Sequence, residues 1–184
     1  MTHSWNNNNP VPMEDLRYII VKHWGFDYKT YEGELIVHRD VAIELLEIFN
    51  ELFQLHYPIE KIRLIDEYQG RDDLSMEDNN SSAFCSRVIT GSSTMFSSHS
   101  YGLAVDINPL QNPYVREDLV LPKGSELYLD RELRHLGMIK ENDHCYNAFI
   151  RRGWLWGGDW RTLSNASPEK RDYQHFAKPK KTIE

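Results

Sequence analysis

The run Ser97-Ser98-His99-Ser100-Tyr101-Gly102-Leu103-Ala104-Val105-Asp106 carries two patterns at once. Leu103, Val105 and Ile107 alternate with Ala104 and Asp106, so a strand here puts the large apolar side chains on one face. Ala104 and Asp106 share the other face, where a small Ala leaves room beside a carboxylate. His99 and Asp106 are seven residues apart. An odd separation sends two side chains to opposite faces of an unbroken strand. Gly102 can break the strand and bend the backbone, which returns His99 to the face of Asp106.

One imidazole and one carboxylate do not close a metal site. A catalytic zinc takes three protein ligands and keeps a position open for water. His175, in Asp172-Tyr173-Gln174-His175-Phe176, is the candidate third ligand. Asp172 precedes it by three residues, close enough to serve water at the metal as general base and later as proton donor. The plainer role for Asp172 is a carboxylate that orients a histidine. A two-histidine, one-carboxylate set also serves non-haem iron. There the first histidine and the carboxylate usually stand two apart, and here they stand seven apart.

Outward from this run the chain alternates elements without a regular βαβ rhythm, which predicts an α+β domain. Leu16–Ile20 reads as the first ordered turn or strand, and Leu35–Val37 as a short strand. Asp40 reads as the N-cap of a helix whose Val41, Leu45, Ile48, Phe49, Leu52 and Phe53 share one face, ending before Pro58. Ile62–Ile65 and Ala83–Ile89 have strand composition, and the polar stretch Gln69–Ser82 reads as a long loop. Gly124–Arg134 reads as loop with one helical turn. Asn142 or Asp143 caps a second helix that stops before Gly153. Residues 1–15 read as a loosely held leader, and 16–184 as one domain.

The 184 residues suit a single core. The net charge of -7 argues against a nucleic-acid partner, which needs a basic patch. No apolar run is long enough to span a membrane. Met1–Pro12 is polar and Asn-rich and does not read as a signal peptide. Cys85 and Cys145 form no CxxC pair. They read as two buried thiols, with one disulfide left open for a protein outside the cytoplasm. His3, His23, His38, His56, His135 and His144 read as ordinary surface or core residues.

The pattern Ser97-x-His99-x-x-Gly102-x-Ala104-x-Asp106, followed by Asp172-x-x-His175, resembles the zinc D,D-carboxypeptidase and L,D-endopeptidase family of peptidoglycan hydrolases. The zinc core of that family is shared with the hedgehog signalling domain. The similarity runs from about Glu67 to Phe176. Ser82–Arg87 resembles the family segment that supplies an arginine. Ile107–Tyr114 and Trp154-x-Trp156-Gly157-Gly158-Asp159-Trp160 resemble the endopeptidase branch.

The resemblance implies an α+β fold with a small antiparallel sheet flanked by helices. It implies one Zn2+ held by His99, Asp106 and His175, with Asp172 and Arg87 catalytic. Many relatives carry Glu where Asp172 stands, and Asp resembles the branch that cuts L-Ala–D-Glu bonds. Arg87 is then the cation aimed at the oxyanion. Ser97, Tyr114, Trp156 and Asp159 are the expected substrate-side residues, with an aromatic core as the plainer role for the Trp segment. The implied partner is a peptidoglycan peptide, which lies outside the cytoplasm. A D-Ala-D-Ala carboxypeptidase and a zinc-binding domain without catalysis are the other readings of the same fold.

Overall fold

A computed structural model describes residues 3–89, 92–160 and 170–180. The first layer is an antiparallel hairpin of β1 (Leu16–Trp24) and β2 (Thr30–His38), paired from Leu16 opposite His38 to Trp24 opposite Thr30. Ile19, Val21 and His23 alternate inward on β1, as a half-buried strand requires. Helix α1 (Ala42–Gln54) lays Leu45, Ile48, Phe49 and Leu52 against this hairpin. Its N-cap is Val41, with no side-chain cap, so Asp40 does not fill the role expected of it. Helix α3 (His144–Ile150) packs behind α1 and is capped by Asp143, whose carboxylate accepts from Tyr146 N–H. Gly153 follows with φ 76° and closes the turn after it.

The expected single sheet is divided. The described residues contain four small sheets, and one of them, β3 (Lys61–Ile62) with β4 (Asn80–Ser81), is parallel. Two sheets matter for the site. Strand β5 (Ala104–Asp106) pairs antiparallel with β10 (His175–Ala177), which also pairs with β8 (Leu155–Trp156). Strand β6 (Tyr114–Arg116) pairs with β7 (Leu119–Leu121) and with β9 (Lys170–Asp172). Tyr173 and Gln174 alone separate β9 from β10, yet the two strands belong to different sheets.

Three segments differ from the sequence expectation. Gln69–Ser82 is not open loop: it holds helix α2 (Asp72–Glu77) and β4. Its Asp-Asp-Leu-Ser-Met-Glu has no apolar periodicity, and the segment is held by buried polar bonds such as Asn80 Nδ2 to Ser75 Oγ at 2.9 Å. Ala83–Ile89 builds no ladder; an isolated bridge joins Ser82 to Asp106 just before it, and another joins Val88 to Phe96 within it. Residues 3–15 are not loosely held. Val11 joins Leu16, Ile36 and Phe84 in a second apolar cluster, and Ser4 is buried with its carbonyl accepting Ser86 N–H. The expected leader is part of the domain surface. Cys85 and Cys145 are buried free thiols.

His99 sits on a 3-10 turn, Ser98–Tyr101, and not on a bent strand. Gly102 ends that turn with φ 65°, which is the backbone change expected of it. A Cβ on Gly102 would lie 2.5 Å from the His38 backbone nitrogen. Gly102→Ala is therefore expected to lower unfolding stability by at least about 1–2 kcal/mol, the cost of a left-handed backbone for an L side chain, before any clash is added. Urea unfolding checks this, and an unchanged midpoint would mean that the turn relaxes freely.

Candidate metal centre

The β5–β10 register places His175 directly opposite Asp106. Val105 and Phe176, the next residues on each strand, point into the core and are fully buried. Asp106 and His175 therefore point together to the other face. The 3-10 turn brings His99 to the same point. His175 Nδ1 lies 2.8 Å from Asp106 Oδ1, and His99 Nε2 lies 3.1 Å from Asp106 Oδ2. Ligand atoms of all three residues lie within 4.8 Å of one another, and all three side chains are buried. This cluster could hold a metal ion.

Tautomers favour that use. His99 Nδ1 donates to the Ala83 carbonyl at 2.5 Å, which leaves the Nε2 lone pair facing the cluster. His175 Nε2 lies 3.2 Å from Ser98 Oγ on the far side of its ring, which leaves Nδ1 for the cluster. The donor set of two imidazoles and one carboxylate suits zinc. Burial alone pushes the Asp106 carboxyl up, but His99 and His175 outweigh it and hold the carboxyl well below its ordinary range. Burial works against the charged form of His99, yet Asp106 prevails and raises that imidazole.

A cleft of about 280 Å³ opens over this cluster. Arg87, Ser97, Ser98, Tyr114, Trp160 and Asp172 are among its walls. Asp172 stands opposite Tyr114 on the β6–β9 pair. Its Oδ1 is buried with no hydrogen-bond partner among the described residues. Burial pushes the Asp172 carboxyl up to about 6, with Asp106 adding to the rise and His175, His99 and Arg87 opposing it. Gly157 makes room for this strand, because a Cβ there would lie 2.4 Å from the Asp172 carbonyl oxygen.

Arg87 is fixed from both ends. Its backbone N–H donates to Ser100 Oγ at 2.9 Å, and its Nε lies 2.9 Å from Asp72 Oδ2. Ser97 caps the histidine turn by accepting His99 N–H at 3.4 Å. Of the expected substrate-side residues, Ser97 and Tyr114 line the cleft. Trp156 does not. It faces the core beside Phe176, and its Nε1 donates to the Tyr173 carbonyl at 2.8 Å, because β8 turns that side chain inward. Asp159 is exposed on the outer side of the Gly157–Asp159 turn, near Tyr146 Oη at 3.4 Å, and is also outside the cleft lining. Trp160 takes the wall position instead.

Sequence reasoning missed Ser98, Asp72, Lys170 and Gln174, all of which line the cleft. Their position follows from tertiary contacts and not from spacing within a motif. Ser98→Ala removes the hydroxyl behind His175. It is expected to weaken zinc affinity about 10- to 100-fold, as loss of a residue that orients a ligand does. Competition with a chromophoric chelator measures this, and unchanged affinity would show that Ser98 does not orient the ring.

Residues 90–178 match the model of a peptidase family described as D-alanyl-D-alanine carboxypeptidase. No curated protein and no solved structure matches the chain. The matched segment, which carries His99, Asp106, Asp172 and His175, is thus similar to the D-alanyl-D-alanine carboxypeptidase family.

Proposed function

We propose that this protein is a zinc metallopeptidase that hydrolyses peptide bonds in peptidoglycan stem peptides, as an L-Ala–D-Glu-type endopeptidase. The observation that carries the reading is the buried His99–Asp106–His175 cluster at the base of a cleft that also holds Asp172, whose Oδ1 has no hydrogen-bond partner among the described residues. Asp at position 172, where many relatives carry Glu, favours the endopeptidase. The description of the matched family favours a D-Ala-D-Ala carboxypeptidase as the second reading. The substrate places the protein outside the cytoplasm. No helix among the described residues is long and apolar enough to cross a membrane.

His99 Nε2, His175 Nδ1 and the Asp106 carboxylate would hold the ion. A zinc ion there supplies Lewis acidity, which acidifies water and polarises a carbonyl. Asp172 takes a proton from the attacking water as the water oxygen bonds to the scissile carbonyl carbon. Arg87 donates to the oxyanion that develops, from a guanidinium already held by Asp72. When the C–N bond breaks, Asp172 passes its proton to the leaving amine. The cleft walls shield this transfer from bulk water.

Purified peptidoglycan, digested with zinc or with chelator and read by mass spectrometry, tests the class and the bond together. New L-Ala carboxyl termini support the endopeptidase, and loss of terminal D-Ala supports the second reading. Release of neither, with zinc bound stoichiometrically, would remove the peptidase assignment. Asp172→Asn is expected to keep zinc and lose at least about 100-fold in kcat.

A base must be ionised to act, so activity is present above the Asp172 pKa and lost as pH falls through it. Burial sets that limb near 6, and a bound dication draws it lower. The wild-type profile of kcat/KM against pH should therefore rise to a plateau with its inflection at or below about 6. An acid limb unchanged in the residual activity of Asp172→Asn would assign the base elsewhere.

A further inference from the structure

Lys170 is the charged cleft residue that the proposed reaction does not use. It lies on β9, two residues before Asp172, and alternation turns both side chains to the same face of the strand. Its ammonium lies 4.4 Å from the ring centroid of Trp160 and 5.5 Å from that of Tyr114. No carboxylate among the described residues pairs with it. Burial pulls this ammonium below the ordinary lysine range, against the charge of Asp172. Aromatic faces stabilise a cation in part, but they leave its outward N–H groups without acceptors. The Tyr114 hydroxyl beside it is buried and makes no hydrogen bond of normal geometry.

The other cation of the cleft differs in this respect. Arg87 already faces Asp72 at 2.9 Å, so much of its charge is compensated within the protein. Asp72, Asp106 and Asp172 make the rest of the cleft acidic, and the whole chain carries -7. Among the described side chains that line this cleft, Lys170 and Arg87 are the lysine and arginine that can face an anionic substrate.

We infer that Lys170, held between Trp160 and Tyr114, is a subsite for a free carboxylate on the substrate residue next to the scissile bond. Two residues along a strand span about 7 Å. An extended substrate advances about 3.3–3.6 Å per residue. The cation therefore stands about two backbone steps along from the carbonyl that Asp172 serves, within reach of a carboxylate carried on the side of the residue next to the scissile bond. The subsite selects acidic peptides over their amidated forms, in which the same position carries a neutral carboxamide. This inference rests on the peptidase reading above.

Two synthetic peptides test it, alike except for a carboxylate or a carboxamide on the residue next to the scissile bond. The zinc-loaded wild-type enzyme is expected to favour the carboxylate peptide by about 10- to 100-fold in kcat/KM, the worth of one charged hydrogen bond. Lys170→Met should bring that ratio to about one with zinc content unchanged, and Lys170→Arg should keep most of it. A wild-type ratio near one, or a ratio unchanged in Lys170→Met, overturns the subsite.

Calorimetric binding of both peptides to zinc-loaded Asp172→Asn separates the two claims. Carboxylate-selective binding that Lys170→Met abolishes, without hydrolysis by the wild type, upholds the subsite and removes the peptidase reading. Hydrolysis of both peptides without selective binding does the reverse.

Discussion

The pairing of His175 with Asp106 across β5 and β10 is the constraint on which the site depends. A slip of one residue would turn each side chain to the opposite face. Val105 and Phe176 would leave the core, where both are fully buried and Phe176 stacks on Phe149 at 4.1 Å between centroids. Burying one such side chain is worth about 1.5–3 kcal/mol, so the apolar face fixes the register. The polar face then receives its geometry without having to stabilise it. That matters because the polar face is costly. Three ionisable side chains converge away from water, and each needs the others, or an ion, to offset its desolvation.

The second tier spreads that cost. Ala83 orients His99, Ser98 faces His175, and Ser100 and Asp72 hold Arg87 at its two ends. These contacts all come from the segment of residues 72–89 and 92–100, which holds one short helix and the two-residue strand β4 and otherwise builds no ladder. Its backbone groups are satisfied instead by single bonds to the histidine turn and to the hairpin, such as Cys85 N–H to the His99 carbonyl and Phe84 N–H to the Ile36 carbonyl. The segment therefore reads as irregular by secondary structure while being fixed by tertiary hydrogen bonds. A rigid frame of this kind suits ligands that must hold one geometry.

This explains what could be read from the residues alone. Helix α1 was legible because its apolar spacing is long and clean, and the cap of α3 was legible to within Asn142 or Asp143 because its chemistry is local. The convergence of His99, Asp106 and His175 was legible from glycine, strand alternation and the chemistry of a three-ligand set, although His99 arrives on a 3-10 turn and His175 on a distant strand. Helix α2 was not, since its six residues carry no apolar stripe. The packing of residues 3–15 rests on Val11 and Ser4 meeting residues far along the chain, which no local window contains. Trp156 and Trp160 illustrate the same limit. An aromatic, Gly-rich run says that rings will be buried or will line a wall, but the β8–β10 pairing decides which ring does which.

The step from β9 to β10 divides the labour of the site. The candidate ligand His175 belongs to the sheet that shares the core with Phe176. Asp172, Tyr114 and Lys170 belong to the other sheet, whose β6–β7 edge reaches toward solvent. Side chains on that second sheet can change without disturbing the register that sets the ligand geometry. Gly157 joins the two parts, since the space a Cβ would fill there is taken by the Asp172 backbone. With the backbone held by β6 and by that close contact, the reach of the carboxylate is set by side-chain length alone. On the peptidase reading proposed above, Asp or Glu at this position sets where the proton acceptor stands in the cleft. On the same reading, the cation two residues away on that strand selects which peptide is presented to it.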